Sequence, residues 1–110
     1  MIKIDADFDE PVPLWDVALE GLAREECGKR GTGLTLDDFV LLAREHAIRL
    51  DDIMVTVFEL VFNGKWQYLD AQGKPRRITR DEIERLYVDG GRLREADLRP
   101  FDGRFRPTDA

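Results

Sequence analysis

Leu50-Asp-Asp-Ile-Met-Val-Thr-Val-Phe-Glu-Leu-Val-Phe-Asn63, followed by Gly64, is the most apolar stretch of this chain. Arranged as a helix, the stretch places four polar side chains on one narrow stripe. These are Asp52, Thr56, Glu59 and Asn63. A helix that is apolar around most of its circumference must be covered on most sides. The pattern therefore predicts that residues 50 to 62 form the central helix of one small core.

A strand is the alternative for the same stretch. Residues 53 to 62 are rich in β-branched and aromatic side chains, and Asn63-Gly64 between apolar runs also favours a hairpin. The helix is preferred because the polar spacing fits a period of about 3.6, whereas a strand would place Glu59 among valines. Asp51 and Asp52 suit a helix N-terminus, and Asn63-Gly64 suits a helix end.

Composition limits the class of protein. The chain has 110 residues, 43% of them hydrophobic, which is enough for one small domain with its own core. Cys27 is the single cysteine, which excludes an intrachain disulfide and suits a reducing compartment. The start of the chain is acidic, and no apolar run approaches the ~18 residues of a membrane span. We therefore expect a cytoplasmic protein that does not enter a membrane.

The net charge of −6 is unevenly distributed along the chain. Residues 1 to 62 carry 6 Lys/Arg against 14 Asp/Glu, whereas residues 63 to 110 carry 11 against 9. The net negative charge argues against a nucleic-acid-binding protein, because several cationic contacts to phosphates supply the affinity of such proteins. A local basic patch in the second half is compatible with this pattern.

Periodicity predicts a small α+β domain, with a helical core, a short hairpin and an N-terminal strand. Residues 1 to 9 alternate as a half-buried strand, and helices are expected over 14 to 27, 36 to 47, 50 to 62 and 80 to 88. A hairpin joins residues 66 to 69 with 76 to 78. The domain is expected to span 1 to 98, with an Arg/Phe/Pro-containing C-terminal tail over 99 to 110. Little regular structure is expected after Gly90-Gly91 beyond a turn near 94 to 98.

Helix starts carry the most specific local pattern. Thr35 with Asp38, and Thr79 with Glu82, have the spacing of a capping box, in which each side chain binds the other residue's backbone N–H. Arg49-Leu-Asp-Asp repeats the order of Thr35-Leu-Asp-Asp without a capping side chain.

In the pattern Leu34-Thr-Leu-Asp-Asp-Phe39, Leu60-Val-Phe-Asn-Gly-Lys-Trp66, then strand, glycine turn, strand and Thr79, residues 34 to 79 resemble a winged helix-turn-helix. In that family the second helix lies in the DNA major groove and the hairpin wing touches the backbone. The resemblance would make residues 50 to 62 the recognition helix. Its stripe carries two carboxylates, Asp52 and Glu59, and the helix has no Lys or Arg, so base recognition is disfavoured.

The predicted function is a non-enzymatic protein-interaction or regulatory module that binds a protein partner or a second copy of itself. The expected contact surface combines an apolar flank of the central helix with the basic wing. Its residues are Met54, Phe58, Phe62, Trp66, Lys74, Arg76, Arg77 and Arg80. Replacing Arg76 and Arg77 by glutamate is expected to leave the fold intact. Alternatively, the basic wing has no binding role and is a solvated strand edge.

Nucleic-acid binding through the wing and the tail is the alternative function. The Arg/Phe mixture of residues 99 to 106 could stack on single strands, although such a tail more often packs its phenylalanines onto its own core or onto a second subunit. No catalytic pair is located: His46 is expected to be packed and Cys27 structural. No metal or cofactor site is predicted. Gly28-Lys-Arg-Gly-Thr-Gly33 lacks the residue order of a phosphate loop and is interpreted as a helix end and linker.

Overall fold

A computed structural model describes residues 16 to 85 and 98 to 108 of the chain. This part is a small α+β domain of helices and one antiparallel sheet. The helices are α1 (Val17–Arg30), α2 (Leu36–Glu45), α3 (Leu50–Phe62) and α4 (Arg80–Arg85), and the strands are β1 (Trp66–Leu69), β2 (Pro75–Arg76) and β3 (Arg104–Pro107). The predicted strand over 1 to 9, the end of the helix expected to reach 88 and most of the turn near 94 to 98 lie outside the described residues.

The central stretch is a helix, as its polar spacing predicts. Ile53, Val57 and Phe58 of α3 are fully buried, and α1, α2 and β1 all contact this helix. The prediction of an exposed polar stripe is wrong at Thr56, whose side chain is buried and only 3% exposed. Its hydroxyl accepts a hydrogen bond of 3.4 Å from the Asp16 backbone N–H, because the start of α1 packs at this point. A lone hydroxyl is thus buried with a partner, as polar groups in a core require.

The helix starts follow the predicted capping pattern. Thr35 Oγ1 accepts from the Asp38 N–H at 3.2 Å, and Asp38 Oδ2 accepts from the Thr35 N–H at 2.9 Å. The same reciprocal bonds join Thr79 and Glu82 at 3.1 and 3.0 Å. Helix α3 begins after Arg49 without a side-chain cap. Each box satisfies two backbone N–H groups that a helix start would otherwise leave without partners.

A tight turn joins α2 to α3. Ala47 adopts a left-handed conformation there, with φ of 54°. The Ile48 N–H donates to the Ala43 carbonyl at 2.8 Å, which closes the turn. His46 caps the C-terminus of α2 and is exposed, so the prediction of a packed histidine is wrong. His46 lies at the helix end, where the chain turns away from the core. Helical periodicity therefore does not predict its burial.

The sheet has the order β2-β1-β3, with β1 in the middle. Strand β3 pairs antiparallel with β1, and Tyr68 lies opposite Phe105. On its other side, Phe105 exchanges backbone hydrogen bonds of 2.8 and 2.9 Å with Leu34. The prediction of little regular structure after Gly91 is therefore wrong for residues 104 to 107. Residues 99 to 108 also do not form a separate tail, because their strand completes the sheet.

The C-terminal segment from residue 98 to 108 contributes two phenylalanine rings to the core. Phe105 contacts Phe39, Phe58 and Tyr68, with ring centroids 5.8, 5.9 and 4.8 Å apart. Phe101 lies 5.0 Å from Phe58. Such tilted and edge-to-face pairs add to the free energy gained by burying the rings themselves. The expectation that the phenylalanines of this segment pack onto the chain's own core is confirmed.

At Gly103 the backbone approaches β1 so closely that this packing requires a residue without a side chain. A Cβ at residue 103 would lie 1.8 Å from the Leu69 carbonyl oxygen. The Gly103 N–H donates to the Tyr68 hydroxyl at 2.9 Å. Burial raises the pKa of Tyr68, and the bond from Gly103 offsets part of that rise. Only glycine allows the chain to approach β1 this closely.

Candidate functional site

A groove of about 500 Å³ lies between the C-terminal end of α3, the β1–β2 hairpin and the start of α4. We call it the hairpin groove. Among the residues predicted for partner binding, those that line it are Phe62, Trp66, Arg76, Arg77 and Arg80. The structure therefore brings most of the predicted wing residues together with one exposed aromatic ring.

Other predicted contact residues lie elsewhere. Met54 and Phe58 are fully buried, so the prediction of an uncovered flank on the central helix is wrong for both. Phe58 is covered by Phe101 and Phe105, which belong to the segment that was expected to lack regular structure. Lys74 is exposed in the hairpin turn and is not among the groove-lining residues.

The apolar part of the groove has an exposed and a buried ring. Phe62 is 43% exposed at the end of α3, whereas Trp66 is 1% exposed. The buried indole N–H of Trp66 has no hydrogen-bond acceptor in the described part of the chain. Buried donors without partners are uncommon in folded proteins, which makes this corner of the molecule unusual.

Arg80 is fixed beside the exposed ring. Its Nη1 and Nη2 donate to the two carboxylate oxygens of Glu59 at 2.6 and 2.9 Å. The guanidinium also lies 4.3 Å from the centre of the Phe62 ring. A bidentate pair combined with a cation–π contact holds the guanidinium plane in place before any ligand arrives. The carboxylate of Glu59, predicted to repel phosphates, is thus neutralised within the fold.

Arg76 supports the fold as well as the groove. Its guanidinium forms an ion pair with Glu82 and lies 5.4 Å from the Phe101 ring centre. Burial raises the pKa of Glu82, but the hydrogen bond from the Thr79 N–H and then the bond to Arg76 outweigh that effect. The pKa consequently lies below its ordinary value of 4.5. A glutamate at residue 76 would face Glu82 instead of pairing with it, whereas Arg77 has no ion pair among the described residues. Tolerance of glutamate at both positions stays a prediction.

The uncompensated positive charge of this region comes from Arg77 and Lys74. Both side chains are exposed, and neither has a carboxylate within ion-pair distance among residues 16 to 85 and 98 to 108. Arg77 lines the groove, and Lys74 lies in the turn of the same hairpin. An incoming anion can pair with these two groups without displacing an internal partner.

The sheet itself is basic but is a poor template for another strand. Its three strands contain three arginines and no carboxylate. The edge strand β2 has only two residues, and Pro75 offers no backbone N–H. Phe101 and Phe105 are buried, so in this arrangement neither ring is available to stack on a nucleic-acid base. Contacts at this face must therefore be made by side chains.

Sequence reasoning missed the contacts that organise the groove. Glu59 and Arg80 are 21 positions apart, and no local spacing rule connects them. The thiol of Cys27 is buried, in agreement with a structural role. No group of His, Cys, Asp or Glu side chains within the described ranges is arranged to hold a metal ion.

Comparison with known proteins gives no match, whether to a family model, to a curated protein or to a solved structure. The winged-helix resemblance over residues 34 to 79 therefore stays a prediction. Among the helices that the structure describes, none combines the length and apolar character of a membrane span.

Proposed function

We propose that this chain is a non-enzymatic protein-interaction module whose hairpin groove docks an acidic segment of a partner protein. The observation that carries the proposal is the combination, in one groove, of an exposed ring, Phe62, with Arg77, which has no carboxylate partner among residues 16 to 85 and 98 to 108. Interfaces concentrate binding energy in aromatic and arginine side chains that lie in a pocket. The groove has both residue types.

The fixed position of Arg80 preorganises the groove beside Phe62. Glu59 and Phe62 already orient its guanidinium, so less side-chain entropy is lost when a ligand binds beside it. A partner carboxylate would meet Arg77, and an apolar partner side chain would rest on Phe62. The two-residue edge of β2 disfavours strand addition, so recognition through side chains is the expected mode.

Charge favours an acidic protein over duplex DNA. Arg76 and Arg80 are already ion-paired with Glu82 and Glu59, which leaves Arg77 and Lys74 as the hairpin cations without a carboxylate partner in the described part of the chain. Two phosphate contacts give a slope of only about −2 in log K against log salt, and correspondingly weak binding. We expect no measurable duplex binding at physiological salt.

The scaffold of this module is proposed to be winged-helix-like, in a cytoplasmic protein. The order of α2, a tight turn, α3 and the β1–β2 hairpin supports the likeness. In the proposed arrangement, the hairpin that would touch a DNA backbone in that family contacts protein instead. Helix α3 is central to the core and is not presented as a recognition helix.

Fluorescence anisotropy of a labelled peptide, with one phenylalanine flanked by glutamates, tests the proposal. Arg77→Glu should weaken binding about fivefold, and Phe62→Ala about tenfold. Arg85→Glu makes the same charge change at an exposed position on α4 outside the groove, and should leave the affinity unchanged. A peptide with lysines in place of glutamates should not bind. Equal affinity for the Arg77 and Arg85 variants would contradict the proposal.

Two further measurements separate the other partner classes. Salt-dependent binding of a labelled DNA duplex that disappears in Arg77→Glu would overturn the proposal in favour of nucleic-acid binding. Light scattering coupled to size-exclusion chromatography reports the oligomeric state. A dimer that Arg77→Glu dissociates would identify a second copy of this chain as the occupant of the groove.

A further inference from the structure

A second cleft, of about 470 Å³, lies where the end of α1, the following glycine-rich loop and the end of β3 meet. We call it the loop cleft. Its side-chain lining consists of Arg24, Cys27, Thr32, Arg106 and Pro107, with glycine backbone between them. None of the lining residues that the structure describes is Asp or Glu. The volume falls within the range of clefts that hold small ligands.

Two arginines from distant parts of the chain line this cleft. Arg24 comes from the middle of α1 and has a Glu20 carboxylate 3.6 Å away, with its side chain 42% exposed. Arg106 comes from β3. With its amide oxygen turned towards the arginine, Gln67 accepts from Arg106 Nε and Nη2 at 2.8 and 3.0 Å. Arg106 is therefore positioned by an uncharged partner and keeps its full charge.

The loop leaves room for a ligand. A Cβ added at Gly28 or at Gly31 would meet no other atom within 4 Å, so the backbone there faces open space. Thr32 Oγ1 accepts from Arg104 Nη1 at 3.3 Å, which leaves the hydroxyl proton available to another acceptor. The cleft thus combines guanidinium forks, a hydroxyl donor and an unobstructed backbone.

We propose that the loop cleft binds a small ligand through its phosphate groups. Arginine forks match the geometry of phosphate oxygens and bind them with short, charge-assisted hydrogen bonds. The site differs from a phosphate loop, because the glycines follow a helix C-terminus instead of preceding an N-terminus. The negative end of the α1 dipole opposes an anion, and Arg24 is already ion-paired with Glu20, so Arg106 must supply most of the attraction.

An NMR titration with sodium pyrophosphate tests this site. The backbone amide resonances of Gly28, Gly31 and Gly33 should shift and then saturate. Sodium chloride at equal ionic strength should not reproduce the shifts. Unsaturable shifts, or equal shifts with chloride, overturn the proposal. Adenosine diphosphate distinguishes two sources of the phosphate: equal affinity indicates that the cleft holds the phosphates alone, and tighter binding indicates that it also contacts the nucleoside. Both results support the site.

Variants assign the binding to this cleft. Arg106→Gln should weaken pyrophosphate binding about tenfold. Arg24→Gln should weaken it less, because Glu20 already pairs with Arg24. Arg77→Gln removes the same charge at the hairpin groove and is the matched control, which should bind as the parent does. Thermal melting of each variant verifies folding. Unchanged affinity in a folded Arg106→Gln variant overturns the proposal. The acidic-peptide measurement on Arg24→Gln, a residue that does not line the hairpin groove, should be unaffected, which makes the two sites separable.

Discussion

The helical segment from Leu34 to Phe62 and the C-terminal segment from Leu98 to Thr108 both contribute to one core, but different interactions fix them. The helices start at local devices such as the Thr35–Asp38 box, whose partners are three residues apart. The C-terminal segment is held by partners far away in sequence, such as Leu34 for Phe105 and Tyr68 for Gly103. A locally specified region should tolerate loss of a distant contact better than a region that depends on such contacts.

The largest expected loss of stability comes from a substitution in the core that the helical and C-terminal segments share. Val57→Asp places a carboxylate at a fully buried position on α3, and an unpaired buried charge costs an amount comparable with the whole stability of a small domain. The variant should be unfolded or insoluble, as judged by circular dichroism and solubility. Val17→Asp makes the same substitution at a site that is 62% exposed and should fold normally. A Val57→Asp variant that melts like the parent would contradict the central position of α3.

The next largest effect separates the two regions. Gly103→Ala forces a methyl group into the Leu69 carbonyl, so β3 must move and the Phe105 ring must leave its place. We expect a loss of about 4 kcal/mol in the free energy of unfolding, measured by urea denaturation. Gly21→Ala is the matched control, because its methyl group meets nothing in α1 and should stabilise by about 0.5–1 kcal/mol. Equal stability of the two variants would show that the C-terminal segment does not depend on this approach.

A smaller loss of stability is expected when the capping box at the start of α2 is removed. Thr35→Ala removes the acceptor for the Asp38 N–H, and such caps contribute about 1 kcal/mol. Thr35→Ser keeps the hydroxyl and should retain most of that stability in the same denaturation measurement. If alanine and serine destabilise equally, the hydroxyl is not what stabilises the start of α2.

The smallest effect concerns the pH dependence of the second box. The pKa of Glu82 is lower in the fold than its ordinary 4.5, so its interactions stabilise the protein above that value. This contribution is lost as the pH falls through the lower, folded pKa. Parent and Glu82→Gln should therefore differ in stability by less than about 1 kcal/mol at neutral pH, and by less still in acid. Glu84→Gln, an exposed change on α4, should show no such pH-dependent difference.

Local rules predicted what local interactions determine. The start of α2 at Leu36, the bounds of α3 and the box at Thr79 follow from cap spacing and polar periodicity, and the structure has all three. The bidentate pair of Arg80 with Glu59 and the covering of Phe58 by Phe101 could not be found in this way, because no spacing rule spans such separations. For the same reason the sequence predicts several of the residues that line the hairpin groove, but not the groove itself.

The insertion of β3 between Leu34 and β1 has a consequence for biosynthesis. A ribosome releases α1, α2 and α3 well before Pro107, and at about 5–20 residues per second this interval lasts seconds. During that time the faces of Phe39 and Phe58 that Phe105 later covers are open to water. The nascent chain thus has a period in which it offers a hydrophobic surface to chaperones, and that period ends only when the last strand enters the sheet.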